Sequence, residues 1–219
     1  MAELFKIHRY FFILTFLFLI AGALMLLWIP KGQIEIWING YHNHFLDILF
    51  QGVTFLGDGI FSFLFVLFMF FRKIFWGIVS GCAILFTTVI TQGLKHFVFA
   101  DALRPYKFFE STLHLYYIDG LHINSFFSFP SGHTSGAFTI FFFLAMTTRK
   151  QYMDIFCFFI SLLVGISRMY LLQHFFEDVY CGALIGIAGT FITVIYFMYF
   201  TELSSKPALD RPLFQKAGI

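Results

Sequence analysis

His174 and Asp178 stand four residues apart, His133 closes the run Pro130-Ser131-Gly132-His133, and Lys95, Arg104 and Arg168 add three cations. A spacing of i, i+4 puts His174 and Asp178 on one face wherever that stretch is helical. A carboxylate bonded to one ring nitrogen fixes the tautomer and leaves the other nitrogen as a nucleophile or base. Three cations converging in a partly dry site are what a phosphoryl group needs, because charge on its equatorial oxygens must be neutralised in the transition state. Arginine brings a bidentate fork and lysine a point charge. Pro130-Ser131-Gly132-His133 stands just ahead of an apolar run and reads as a helix N-terminus, whose free backbone N–H groups also favour an anion. His174 could then attack phosphorus. His133, arriving from another segment, could protonate the leaving oxygen and afterwards help a water attack the phosphohistidine. Two histidines with separate roles suffice for this course, so neither a metal nor another cofactor is expected.

The elements that must position these residues are dictated by composition. Of the 219 residues, 59% are hydrophobic and 12% charged, where soluble domains carry about 25% charged residues. That excludes a water-soluble globular domain, and 22% aromatic content with 36 Phe excludes disorder. The expected fold is all-α, a polytopic membrane bundle of six transmembrane helices forming a single domain over residues 1–219. The apolar runs 10–29, 74–99, 131–147, 152–172 and 179–200 are five of the spans. The sixth runs through 60–71 and is short, so its helix is expected to begin before Gly57, leaving Asp58 near the interface or inside the bundle. Lys6 and Arg9 ahead of the first run, with Ala21-Gly22-Ala23, loosely suggest a signal peptide. The apolar run continues to Ile29, however, which predicts a retained anchor.

The segment 30–58 reads as an interfacial amphipathic stretch. Gly77, Gly81, Gly165, Gly182, Gly186 and Gly189 would let helices approach closely. Cys82, Cys157 and Cys181 lie in or beside apolar runs and read as small buried hydrophobes, with no disulfide framework. His42, His44, His114 and His122 lack a third ligand at metal-site spacing and read as interfacial loop residues. The aromatic loop 106–129 is expected to anchor at headgroup level or to act as a lid.

Alternating spans place Lys6, Arg9, Arg72, Lys73, Arg149, Lys150, Lys206, Arg211 and Lys216 on one side, against Lys31, Lys95, Arg104, Lys107 and Arg168 on the other. Nine basic residues against five make the first side cytoplasmic, and with it both termini. The second side is extracytoplasmic, in what is expected to be a bacterial inner membrane. There Lys95, Arg104 and Arg168 sit at separate span ends, where an unneeded charge is expensive, so they call for a functional explanation. A net charge of +2 without a clustered basic face argues against a nucleic-acid partner. No obligate protein partner is indicated.

The run Ser167 to Asp178, read as SRMYLLQHFFED, together with the preceding PSGH, resembles the type 2 phosphatidic acid phosphatase family. These are membrane lipid-phosphate phosphatases that share a helical core with vanadium haloperoxidases. The resemblance implies His174 as nucleophile, Asp178 as its orienting carboxylate and His133 as the acid toward the leaving group. It also implies Lys95, Arg104 and Arg168 as phosphate-binding cations, with Ser131 and the backbone of Gly132 as further donors. Eight residues separate Lys95 from Arg104, more than the family's pattern has. Either the third span carries an extra half turn, or the lysine is displaced, with His96 as a minor substitute.

By analogy the substrate is a lipid phosphate held in the bilayer: undecaprenyl pyrophosphate, phosphatidylglycerol phosphate, phosphatidic acid or lipid A. The same intermediate passed to a lipid acceptor would make a phosphotransferase, and a site without turnover would make a lipid-phosphate binding protein. A transporter would place ionisable residues near mid-membrane, whereas these cluster at span ends.

Overall fold

The computed structural model describes residues 2–121, 123–148 and 150–214; His122, Arg149 and Lys216 lie outside them. Among the described residues all regular structure is helical. A short helix α1 (Ala2–Ile7) precedes α2 (Arg9–Trp28), whose 20 residues are apolar on every face and cover about 30 Å at 1.5 Å per residue. The chain then turns at Gly32, where φ is +87° and the ring of Phe109 stands 2.4 Å from where a Cβ would sit. Only glycine meets both conditions.

Helix α3 (Gln33–Asn39), helix α4 (His44–Thr54), a 3-10 turn (Phe55–Gly57) and helix α5 (Gly59–Arg72) follow. The expected helix running through Gly57 is broken there. Asp58 accepts the Ile60 N–H at 2.8 Å as the N-cap of α5, and the two helices meet at 53°. A capping aspartate starts a new helix because its side chain satisfies an otherwise orphaned donor.

Helix α6 (Ile74–Gly93) widens into a π turn (Leu94–Val98), and α7 (Pro105–Phe109) lies in the following loop. The bundle is completed by α8 (Gly132–Met146), α9 (Gln151–Tyr170) and α10 (Phe176–Tyr199). Among the described residues four helices are long and apolar enough to cross a bilayer: α2, α6 with its π turn, α9 and α10. The bent pair α4–α5 makes a fifth where the two are counted as one span. The remaining expected span is α8, whose 15 residues rise only about 22 Å. It forms the centre of the bundle, with α6, α9 and α10 packed around it and Ala137, Phe138, Ile140 and Phe142 fully buried.

Hydroxyls stitch α8 to α6: Thr91 donates to Ser135 at 3.2 Å and Thr139 to Thr87 at 3.1 Å, as polar contacts do where no water competes. Close approach to α10 depends on glycine, since a Cβ on Gly182 would stand 2.6 Å from the Ser131 carbonyl oxygen. Cys157 is buried, Cys82 and Cys181 are half-buried, and all three are free. The C-terminal ends of α6 and α9 and the N-terminal ends of α5, α8 and α10 meet at one end of the bundle.

Gly57 holds that end together. A Cβ there would lie 2.3 Å from the His133 carbonyl oxygen, so Gly57→Ala must push α8 away from the 3-10 turn. Overpacking of this kind costs about 1–3 kcal/mol, or roughly 2–9 °C of melting temperature in a chain of this size. Gly52, with nothing within 4 Å, is the control: Gly52→Ala should melt no lower than the parent in the same detergent.

Candidate active site

Helix α9 ends two residues beyond Arg168, without a glycine. Leu172 adopts φ +51°, the Leu172 N–H donates to Met169 O, and the Gln173 N–H donates to Arg168 O. This is the bonding pattern of a Schellman turn. A left-handed leucine is strained by about 1–2 kcal/mol, and here Leu172 is buried. The turn delivers Gln173 and His174 directly beside the arginine that begins it.

Asp178 then organises the start of α10. Its Oδ2 accepts the Phe175 N–H at 2.9 Å, the Ser128 hydroxyl, and His174 Nδ1 at 3.2 Å. An ionised carboxylate only accepts, so the imidazole carries its proton on Nδ1 and presents an unprotonated Nε2. His174 is buried. Burial, and then Arg168, Arg104 and Lys95 beside it, hold its pKa well below the ordinary histidine value. The ring is thus kept in the neutral, nucleophilic form.

The cations are fixed by neutral partners. Gln173 Oε1 accepts from Arg104 Nη1 at 2.8 Å and from Arg168 Nη2 at 2.9 Å, so one amide oxygen holds two like-charged forks side by side. Arg168 Nη1 donates to Thr54 at 2.6 Å, and Arg104 Nε donates to the Phe126 carbonyl at 3.0 Å. Arg168 Nε is buried and has no partner among the described residues, leaving a donor for an anion. Lys95 rides in the π turn, where the Phe99 N–H reaches back to Leu94 O. His96, by contrast, packs at a tilt against Phe127 with centroids 4.9 Å apart.

Lys95, Arg104, Gly132, His133, Arg168 and His174 line one cavity of about 350 Å³. Asp178 lies behind His174. Ser131 is buried and is not part of the cavity wall. Its hydroxyl oxygen accepts the Thr134 N–H and hydroxyl as the N-cap of α8, which leaves Gly132 as the start of that helix facing the cavity. His133 Nε2 lies 3.7 Å from Asp58 Oδ2.

Gln173, Thr54, Ser128 and Asp58 complete the arrangement. Of these, only Asp58 was marked in the sequence, as a charge near the interface or inside the bundle; Gln173, Thr54 and Ser128 were not. Among the described residues no group of three or more His, Cys, Asp or Glu side chains converges as metal ligands. The loop 106–129 is tied to α3 and α4. Tyr116 exchanges two backbone bonds with the Asn39 side chain, donates its hydroxyl to Asp47 at 2.9 Å, and stacks on His42 at 3.7 Å.

Comparison with known proteins gives three findings. The sequence model of the PAP2 superfamily matches residues 76–202. A lipid A 4'-phosphatase of Bacteroides thetaiotaomicron is 24% identical over 186 residues, covering 83% of this chain and 81% of that protein. Among solved structures, Aquifex aeolicus LpxE superposes with a TM-score of 0.66 at 30% identity, covering 76% of this chain and 95% of that one. A PAP2-type phosphatidylglycerolphosphate phosphatase from Bacillus subtilis gives 0.61 at 23% identity over 92% and 98%.

Proposed function

The chain belongs to the PAP2 superfamily, and from that premise we propose that it hydrolyses the phosphate of a membrane lipid through a phosphohistidine on His174. The observation that carries this reading is the single cavity holding three cations and both histidines. In the proposed course, Lys95, Arg104, Arg168 and the N–H groups at the start of α8 around Gly132 hold the phosphoryl oxygens. His174 Nε2 forms a bond to phosphorus, and the bond from phosphorus to the lipid oxygen breaks as protonated His133 gives that oxygen its proton. The same histidine then takes a proton from water, whose oxygen attacks phosphorus, and inorganic phosphate leaves with His174 restored. Asp178 keeps the proton on Nδ1 throughout and stabilises the charge that develops on the ring. No step calls on a metal.

The cavity wall continues along α5 and α6 to Ser62, Thr88 and Ile84. Ile84 lies eleven residues before Lys95, about 16 Å of helix rise, so the lipid's tails can stay among the helices while the head enters. In this reading α8 and the bent pair α4–α5 count among six crossings. The basic residues at the other end put the termini in the cytoplasm and the site on the extracytoplasmic face of a bacterial inner membrane.

Lipid A is the first candidate, since the Bacteroides relative is named for it. Undecaprenyl pyrophosphate, phosphatidylglycerol phosphate and phosphatidic acid complete the panel. Purified protein in detergent should release phosphate from one of these at a rate that excess EDTA leaves unchanged. Transfer of the label to a second lipid without free phosphate would make the protein a phosphotransferase. Loss of turnover with EDTA, restored by a divalent cation, would overturn the metal-free course.

A further inference from the structure

The segment between α2 and α4 contains a buried carboxylate that the reaction course above does not use. Glu35, on the first turn of α3, is only 1% exposed. It accepts the Phe176 N–H at 2.8 Å. The side chain therefore caps the first turn of α10, where orphaned donors and the helix dipole both favour an acidic group. The flanking contacts converge on the same stretch. Lys31 pairs with Glu177 and lies 4.5 Å over the Phe175 ring, while Phe108 meets that ring edge-on, centroids 5.4 Å apart.

We propose that Glu35 is a positioning residue for the nucleophile. By holding the Phe176 N–H it fixes the first turn of α10, and with it the bond from His174 Nδ1 to Asp178. The Phe175 N–H goes to Asp178 and the next N–H, Phe176, goes to Glu35. The two carboxylates thus hold consecutive peptide groups immediately after the nucleophile. Without Glu35, Phe176 N–H is a buried donor with no acceptor, and the turn must move to find one.

Burial, the largest cause, and repulsion from Asp178 and Glu177 push the Glu35 carboxyl up to about 7 against the lowering effect of the Phe176 N–H. Protonated or not, it keeps an oxygen that accepts the Phe176 N–H. Glutamine keeps one as well, so Glu35→Gln should substitute. Alanine removes the acceptor, and aspartate, one methylene shorter, withdraws it.

This inference rests on His174 being the nucleophile, so its test has one arm with turnover and one without. With the lipid that the wild type hydrolyses, Glu35→Ala should lower kcat about a hundredfold, as a displacement of about 1 Å does in an active site. KM and inhibition by inorganic phosphate should stay within about twofold, because the cations are untouched. Glu35→Gln should restore kcat, and Glu35→Asp should fall between. Independently of turnover, NMR of histidine labelled with the heavy nitrogen isotope reads the Nδ1–H signal of His174, assigned by its absence in His174→Ala. That signal should shift or broaden in Glu35→Ala and return in Glu35→Gln. An unchanged signal in Glu35→Ala overturns the proposal whether or not the protein hydrolyses lipid phosphate. So does an equal loss of kcat and of phosphate affinity. If Glu35→Ala does not fold, Gln and Asp variants that both match the wild type in the NMR and in kcat overturn it equally.

Discussion

His174→Ala lowers phosphate release by at least about four orders of magnitude, the scale on which covalent catalysis fails when its nucleophile is removed. The loss has to be in kcat. Arg104 and Arg168 keep their partners and Lys95 keeps its place on the cavity wall, so the lipid head still binds, but nothing within the cavity replaces the ring nitrogen that bonds phosphorus. The fold survives because the groups around the ring are satisfied without it. Asp178 keeps the Phe175 N–H and the Ser128 hydroxyl, and Gln173 keeps both arginines. The melting temperature should move by no more than about 5 °C, little more than 1 kcal/mol in a chain of this length. Phosphate release and thermal unfolding on the same preparation check both halves. An active His174→Ala variant would remove the nucleophile from the account.

The second large effect is expected from Asp178→Asn, which changes one atom and should lower kcat by about three to four orders of magnitude. Oδ2 alone takes the Phe175 N–H, the Ser128 hydroxyl and His174 Nδ1, so an asparagine oxygen in its place keeps the cap of α10. It carries no charge, however, to offset the positive ring that forms as His174 bonds phosphorus. Because binding of the phosphate does not pass through Asp178, KM should hardly change, and steady-state kinetics of the variant separates the two parameters. Asp178→Ala should in addition lose the cap, at a further cost of about 1 kcal/mol in stability. A raised KM with unchanged kcat in Asp178→Asn would place the carboxylate in substrate binding instead.

The grouping of Arg168, His174 and Asp178 was legible in the sequence because it is local. Arg168, His174 and Asp178 lie within eleven consecutive residues, one helix end, a turn and one helix start, so spacing alone puts them together. His133 stood out for the same reason, as a polar start to an apolar run. The partners that hold these groups were not legible, because they come from far along the chain. Thr54 meets Arg168 across 114 residues and Glu35 meets Phe176 across 141, and no periodicity links such pairs.

The segment 30–58, expected as an interfacial stretch, turned out to carry two of these partners and the capping Asp58 next to His133. Lys95 lines the same cavity as Arg104 despite the long spacing between them, and it rides in the π turn that follows α6. The role of α8 could not be read, since an apolar run of this length looks alike whether it faces lipid or fills the middle of a bundle. Ser131 shows the same limit at the scale of one hydroxyl: the motif puts it at the site, and the local geometry spends its oxygen on the cap of α8.

The most direct test of the central claim is to trap the intermediate. Wild-type protein turning over lipid labelled in its terminal phosphate is quenched with alkali during steady state, and the labelled peptide is identified. The account predicts a label that is stable to alkali, lost in acid and carried by His174, with none on the His174→Ala variant. Label on any other side chain, or turnover with no trapped phosphoenzyme in wild type or in a variant slowed at the water step such as His133→Ala, would contradict it.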